Sequence, residues 1–243
     1  MSKHISNAQN FEDIYLYRAY SLIKNRFGNI SATELIVDIG AWEPIADNVS
    51  AFFIEIGWGA VLVEPQLTYY EKLVSHFHEN REVQVLHAAV SNAMGEASFF
   101  VPKVTTGWGS LEETHSTRMQ ESLKKEMVRL TTLDEIHKNL KGNYSILKVD
   151  AEESERNIIS GWQSSEIGPI LICIEDQDGQ VKLLLESRNY NLFFFDGINS
   201  YFVKDVYYEA VQKFNPINLL EDYRFTLRDG TWLVNNEFRL KDQ

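Results

Sequence analysis

Ile36-Val37-Asp38-Ile39-Gly40-Ala41-Trp42-Glu43-Pro44 decides how the rest of the chain is read. Apolar, β-branched residues lead into an acid and then a glycine, a pattern that reads as a buried parallel strand. A glycine just past such a strand permits a tight turn and a close backbone approach to a ligand. Ligands of open α/β sheets bind outside the carboxyl ends of the strands. Asp38 and Gly40 therefore stand where a nucleotide-like cofactor is expected. The three spaced glycines that lay a pyrophosphate on a helix N-terminus are missing; Gly40 is followed by bulky Trp42 and Pro44. One glycine after a carboxylate suits a cofactor without phosphates that carries a positive charge and an amino acid tail, a description that fits S-adenosylmethionine.

Outward from this point, strands and helices alternate. A helix is expected over 46–56, with Val49, Phe52, Phe53 and Ile56 facing the sheet. The second strand, 60–63, ends at Glu64-Pro65. An acid at that place is where a ribose diol is gripped in such folds, about 20 residues after the first strand. A helix over 68–79 leads to a third strand over 83–90, whose small Ala88 and Ala89 leave room for a flat ring. After a short strand over 97–102, residues 104–128 interrupt the alternation with a glycine-rich loop, Thr105 to Leu111, and then a polar helix that carries His115. Long loops in compact domains are often lids, and 104–128 is read as lid-like. Another helix is expected to begin within Arg129–Asp134. The fourth strand ends in Asp150 and the fifth in Glu175-Asp176. Residues 180–189 read as helical. Two strands around Asp196-Gly197-Ile198-Asn199 form a hairpin. Ahead of the first strand, 8–27 reads as a helix with Asn10 as its N-cap. The organisation expected is an N-terminal helical cap over 1–30, a main domain over 31–204 and an extension over 205–243.

Composition narrows the function. The chain has 243 residues, 44% of them hydrophobic, and a net charge of −12. An acidic chain without a basic run argues against nucleic acid or an anionic membrane as partner. It suits a neutral acceptor and leaves room for a homo-oligomer. Cys173 is the single cysteine, which excludes an internal disulfide, and its apolar neighbours mark it as a buried thiol. No run of about 18 apolar residues and no signal-type leader is present, so the chain reads as cytoplasmic and not membrane-inserted.

Two neighbouring parallel strands should bring Asp150, Glu175 and Asp176 together. Like charges at close range repel, and a divalent cation relieves this. Oxygen ligands alone suit Mg²⁺ or Mn²⁺; an acidic rim bonded to water and helix N-termini is the plain alternative. Lys148 precedes Asp150 by two residues, which argues for a salt bridge in place of the metal. Glu153 lies where it can act as a general base, while Glu152 and Glu155 read as acids at a helix N-terminus.

A family resemblance rests on many blocks in order. They are Ala8-Gln9-Asn10-Phe11-Glu12-Asp13 with Arg18-Ala19; Val37-Asp38-Ile39-Gly40-Ala41; Gly57-Trp58; Val63-Glu64-Pro65; Ala88-Ala89-Val90; Gly107-Trp108-Gly109-Ser110-Leu111; Thr132-Leu133-Asp134; Leu147-Lys148-Val149-Asp150-Ala151-Glu152; and Phe195-Asp196-Gly197-Ile198-Asn199. The chain resembles the FkbM-type S-adenosylmethionine-dependent methyltransferases. The resemblance implies a Rossmann-like class I methyltransferase fold, an α/β fold with a mostly parallel seven-stranded sheet and a C-terminal antiparallel hairpin. It implies O-methylation of a sugar, glycan or glycosylated natural product, often in surface polysaccharide biosynthesis. It places Asp38, Gly40 and Ala41 at the methionine end of the cofactor, Glu64 with Pro65 at the ribose, and Ala89 and Val90 at the adenine. Gln9 and Asp13 are implied to close over the cofactor, and Asp150 to reach both donor and metal. Asp150, Glu153 and His115 are the candidate catalytic residues. Glu153, Ser154 and Trp42 depart from the family's usual residues. The rival readings are an NAD or nucleotide-sugar enzyme, disfavoured by the missing glycine loop and the lack of a Tyr-x-x-x-Lys pair, and a non-catalytic donor-binding module.

Overall fold

The computed structural model describes residues 4–113, 122–164, 166–176, 179–216 and 232–234. A short strand β1 (His4–Ser6) precedes helix α1 (Glu12–Phe27). Strand β2 (Thr33–Ile39), helix α2 (Val49–Glu55), strand β3 (Gly59–Glu64), helix α3 (Leu67–Phe77) and strand β4 (Val83–His87) follow as successive β-α-β units. Then come β5 (Ala89–Val90), β6 (Gly95–Pro102), β7 (Leu123–Thr131), β8 (Tyr144–Val149), β9 (Pro169–Glu175), β10 (Tyr190–Phe195), β11 (Asn199–Lys204) and β12 (Trp232–Val234). Short helices over Leu133–His137, Glu155–Ser160 and Gln180–Glu186 connect the later strands.

The main sheet has seven strands in the order β10-β11-β9-β8-β2-β3-β4. β4, β3, β2, β8 and β9 are parallel, and β11 runs antiparallel between β9 and β10. This is the Rossmann-like class I methyltransferase fold with its C-terminal hairpin. The parallel strands are apolar on both faces because both are covered. Ile36, Leu62, Ile146 and Leu171 join one core with Leu16, Ile23 and Phe52. Val37, Val61, Leu147 and Ile172 point the other way, onto Ile158, Ile159 and Leu185. Each such side chain, fully buried, contributes about 1.5–3 kcal/mol.

The chain winds outward from β2 through β3 to β4, then returns to β8 on the other side of β2. That reversal opens a crevice beyond the carboxyl ends of β2, β3 and β8, where α/β sheets bind ligands.

Several sequence expectations are corrected. The third strand splits: Val83–His87 stays in the main sheet, while Ala89–Val90 leaves it to pair with β7. The end of the 104–128 insertion, 123–128, and the start of the helix expected within 129–134 are instead strand β7, paired antiparallel with β6 from Pro102↔Leu123 to Gly95↔Leu130, and most of the polar helix expected in that insertion lies outside the described residues. Lys124, Lys125 and Glu126 look helical by composition. Backbone pairing with β6 overrides that local preference. The helix itself begins at Leu133, behind Thr132 as a side-chain cap. The N-cap of α1 is Phe11, in a left-handed conformation, rather than Asn10. In the tail, Trp232–Val234 pairs with His4–Ser6. No helix among the described residues is long and apolar enough to cross a membrane.

Candidate active site

The floor of the crevice is fixed by Gly40. Its φ is +80°, and a Cβ built there would lie 1.9 Å from the Asp150 carbonyl oxygen. No side chain fits. The close approach ties three strand ends together: the Gly40 and Ala41 N–H groups donate to the Val63 carbonyl at 3.0 and 3.2 Å, and the Asp150 N–H donates to the Ile39 carbonyl at 3.0 Å.

Glu64, at the tip of β3, is buried yet borders the cleft. Its carboxylate accepts from the Gln66 N–H at 2.8 Å and from the Trp42 N–H at 3.0 Å. Trp42 holds a positive φ of 51°. Burial pushes the Glu64 carboxyl up to about 7 despite these two bonds. A carboxylate has about four acceptor positions, so two donors leave acceptor capacity on a side chain that lines the cleft.

Lys148 is on β8, paired in register with Asp38 of β2. Its ammonium donates to the Gly40 carbonyl at 3.0 Å and pairs with Asp38 at 3.3 Å and Asp150 at 3.5 Å. Burial alone would lower its pKa; the neighbouring carboxylates of Asp38 and Asp150 outweigh that and hold it above the ordinary lysine value. Asp38 also accepts from the Ser50 hydroxyl at 2.6 Å.

After β8 the chain turns sharply. Glu152 and Glu153 both adopt positive φ, 51° and 72°. Glu152 is drawn into the cleft lining. Burial, then the nearby Asp150, Glu175 and Glu155 carboxylates, push its carboxyl up to about 8, against a smaller pull from Lys148. Ser110, itself fully buried, donates its hydroxyl to the Glu152 carbonyl at 2.5 Å.

A cover is supplied by residues 104–111. The Tyr69 and Thr106 hydroxyls share a hydrogen bond of 2.5 Å, and the Gln66 side chain donates to the Thr106 carbonyl at 2.9 Å. Gly107 packs against the Trp42 ring, where a Cβ would come within 3.2 Å. The Trp42 indole N–H is buried without a hydrogen-bond partner. The resulting cleft is about 370 Å³.

Of the residues singled out from sequence, Gln9, Gly40, Glu64, Pro65, Ala89, Val90 and Asp150 border this cleft. Asp38 supports it from below through Lys148. Ala41 and Glu153 are not among the bordering residues. Asp13 does not reach the cleft: its carboxylate accepts from the Ser6 hydroxyl at 2.7 Å, the Asn7 N–H at 3.1 Å and the Ile14 N–H at 2.7 Å. His115 lies outside the described residues. Asp150, Glu175 and Asp176 do not fit the metal expected from the sequence. Asp176 is turned onto the helix that begins at Gln180, accepting from the Val181 and Lys182 N–H groups at 3.2 and 2.9 Å, and Asp150 is engaged by Lys148. Among the described residues, no group of three or more His, Cys, Asp or Glu side chains is arranged to hold an ion. Glu155 does serve its turn as read, accepting from the Ala151 N–H at 2.7 Å. Glu152 does not stay with it.

The salt bridge read from the spacing of Lys148 and Asp150 is present, and it brings Lys148 into the cleft lining. Sequence reasoning missed Glu152, Trp42 and Gln66 as cleft-lining residues.

Residues 38–204, well over half of the chain, match the methyltransferase FkbM domain. No curated protein sequence matches. Among solved structures, methyltransferase FkbM from Methylobacillus flagellatus KT is similar at 14% identity and TM-score 0.44, covering 80% of this chain and 52% of that one. Monomeric WbdD is similar at 10% identity and TM-score 0.47, covering 82% and 42%. The N-terminal domain of human METTL16, solved with S-adenosylhomocysteine, is similar at 12% identity and TM-score 0.40, covering 78% and 67%. The chain thus spans about half the length of the first of these. On the match over residues 38–204, the chain belongs to the FkbM methyltransferase family.

Proposed function

We propose that the chain transfers a methyl group from S-adenosylmethionine to a hydroxyl of a sugar or glycan. The observation that carries this reading is the order of the cleft lining. Ala88, Ala89 and Val90 form an apolar end beyond β4, Glu64 follows at β3, Gly40 at β2, and Asp150 with Glu152 beyond β8. A flat base, a ribose diol and a cationic amino acid tail meet these surfaces in the same sequence. Glu64, fixed by two backbone N–H groups, is set to accept the diol. Gly40 lets the donor lie against the backbone. The 104–111 segment covers the cleft and excludes water.

When bound, S-adenosylmethionine supplies an electrophilic methyl group on a sulfonium. The protein's part is to align an acceptor oxygen with it and remove the hydroxyl proton. Glu152 takes the role read earlier for Glu153, because it is Glu152 that borders the cleft. A carboxyl near 8 is matched to base chemistry around neutral pH. The hydroxyl acceptor is favoured by the sequence blocks and by the half-exposed Trp108 at the cleft, since aromatic faces suit the apolar faces of sugar rings. Metal assistance forms no part of the reading.

The test is incubation with isotopically labelled S-adenosylmethionine and a panel of glycans and nucleotide sugars, followed by mass analysis. Label on a sugar oxygen supports the proposal. Label on nitrogen only, or donor binding with no transfer to any of these acceptors, overturns it.

A further inference from the structure

The cover of the cleft is fastened on both sides of Trp108. Before it, Thr106 is held by the Tyr69 hydroxyl and the Gln66 amide, and Gly107 packs against the Trp42 ring. After it, a Cβ on Gly109 would come within 2.6 Å of the Phe99 ring, and Ser110 exchanges backbone hydrogen bonds with Phe100 at 2.8 and 3.0 Å. The Ser110 hydroxyl reaches the Glu152 carbonyl, so the cover comes down beside the turn after β8. The Trp108 N–H itself donates to the Thr105 carbonyl at 3.1 Å. These contacts place the backbone and leave the indole aside: Trp108 lines the cleft yet stays 47% exposed. Trp42, the other tryptophan of the lining, packs against both the Tyr69 ring, at a centroid distance of 5.7 Å, and Gly107. Val104, also in the lining, is 81% exposed. Large apolar side chains left open at the edge of a cleft mark a surface that a ligand covers.

The charge of the lining limits that ligand. Asp150 and Glu152 border the same cleft, and Lys148 is the one basic side chain in the lining among the described residues. Lys148 is committed to the Gly40 carbonyl, Asp38 and Asp150. A phosphate or a sugar acid would meet no uncommitted cation among the described lining residues, and burying an unanswered anion is costly. An apolar aromatic face together with carboxyl groups suits a molecule with C–H groups on its face and hydroxyls on its rim.

We infer that Trp108 is an acceptor-binding residue, seating the C–H face of an uncharged sugar ring and so helping to set which glycan is methylated. This rests on the proposed methyl transfer, to which it adds the residue that holds the acceptor and the acceptor's charge class. Trp108→Leu keeps apolar bulk and loses the flat face; Trp108→Tyr keeps the face. The acceptors tested are neutral glycans, their methyl glycosides, and nucleotide sugars carrying the same sugars. Rates with labelled S-adenosylmethionine give kcat and the acceptor KM, and calorimetry gives S-adenosylhomocysteine affinity. Trp108→Leu should raise the acceptor KM about tenfold while S-adenosylhomocysteine affinity stays within about twofold, and Trp108→Tyr should restore most of the loss. The neutral acceptors should be preferred in kcat/KM over the nucleotide sugars. As acceptor saturates the wild type with S-adenosylhomocysteine bound, tryptophan emission should move to shorter wavelength, since an exposed indole becomes covered, and Trp108→Tyr should lack this shift. That measurement decides the matter if Trp108→Leu fails to fold. An acceptor KM unchanged in Trp108→Leu, an S-adenosylhomocysteine affinity that falls in step with it, an emission shift retained in Trp108→Tyr, or a preference for nucleotide sugars overturns the inference. Transfer to none of these acceptors would instead defeat the methyl-transfer reading itself.

Discussion

Asp13, in the N-terminal segment, and Glu64, at the strand tips, are alike by most measures. Both are acids, both are buried, and burial pushes both up to about 7. They differ in where their oxygens go. Asp13 is surrounded by donors from its own stretch of chain, Ser6, Asn7 and Ile14. It knots the segment before α1 to the first turn of that helix. Glu64 accepts from Trp42 and Gln66 and still borders the cleft. A buried, shifted carboxyl is therefore not a mark of function by itself. The acceptor capacity left over, and the space it faces, make the difference.

The strand tips should break first. Gly40→Ala puts a methyl group into the Asp150 carbonyl and strains a positive φ; a loss of about 3 kcal/mol or more is expected. Urea unfolding measures it. A change under about 0.5 kcal/mol, the size of an ordinary surface substitution, would mean the Gly40–Asp150 approach is not a constraint.

Glu64→Ala should weaken S-adenosylhomocysteine binding by about 1.5–3 kcal/mol, the size of lost hydrogen bonds to a charged group. Asp13→Ala should do the opposite. It leaves the Ser6, Asn7 and Ile14 donors unanswered and costs about 1–3 kcal/mol of stability, with unchanged product affinity. If Asp13→Ala lowers affinity as much as Glu64→Ala does, the contrast between the two regions collapses.

Asp13 also carries a pH signature. Its folded-state pKa, about 7, lies above its ordinary 3.8. The native state then keeps a proton the unfolded chain has released, so its contribution to stability is present below about 4 and is lost as pH rises towards and through 7. Asp13→Asn should flatten that part of the stability profile in denaturant titrations between these limits, and an unaltered slope would remove Asp13 from it.

The smallest effect expected is at Ser110. Ser110→Ala removes one hydrogen bond to the Glu152 carbonyl, about 1 kcal/mol. It should lower the transfer rate more than product affinity, since it loosens the base and leaves the β3 and β4 end untouched. Equal losses in both would make Ser110 a general support of the cleft.

These contrasts also show which parts of the molecule the sequence discloses. β2 with Gly40, β3 with Glu64 and β8 with Asp150 are legible because a parallel strand writes its burial into consecutive residues and its turn into the next few. β7 is not, because Lys124, Lys125 and Glu126 lie on a strand held by its partner β6, and the partner is distant in sequence. Asp176 reads as a metal ligand until the helix at Gln180 is seen to take its oxygens. Glu152 reads as a helix acid beside Glu155 until two successive left-handed residues turn it into the cleft. Trp42 signals nothing but bulk, although its N–H anchors Glu64 and its ring seats Gly107. Side-chain direction after a strand is set by the turn, and these turns use residues without a left-handed preference.

The central claim is that the crevice is built for a methyl-donor nucleoside gripped by Glu64. Titration calorimetry of the wild type and Glu64→Ala with S-adenosylhomocysteine, and of the wild type with NAD, tests it directly. The account predicts saturable one-to-one binding of S-adenosylhomocysteine, weakened about 10- to 100-fold by the substitution, and no saturable binding of NAD. Binding of NAD in preference to S-adenosylhomocysteine, or S-adenosylhomocysteine binding indifferent to Glu64→Ala, would contradict it.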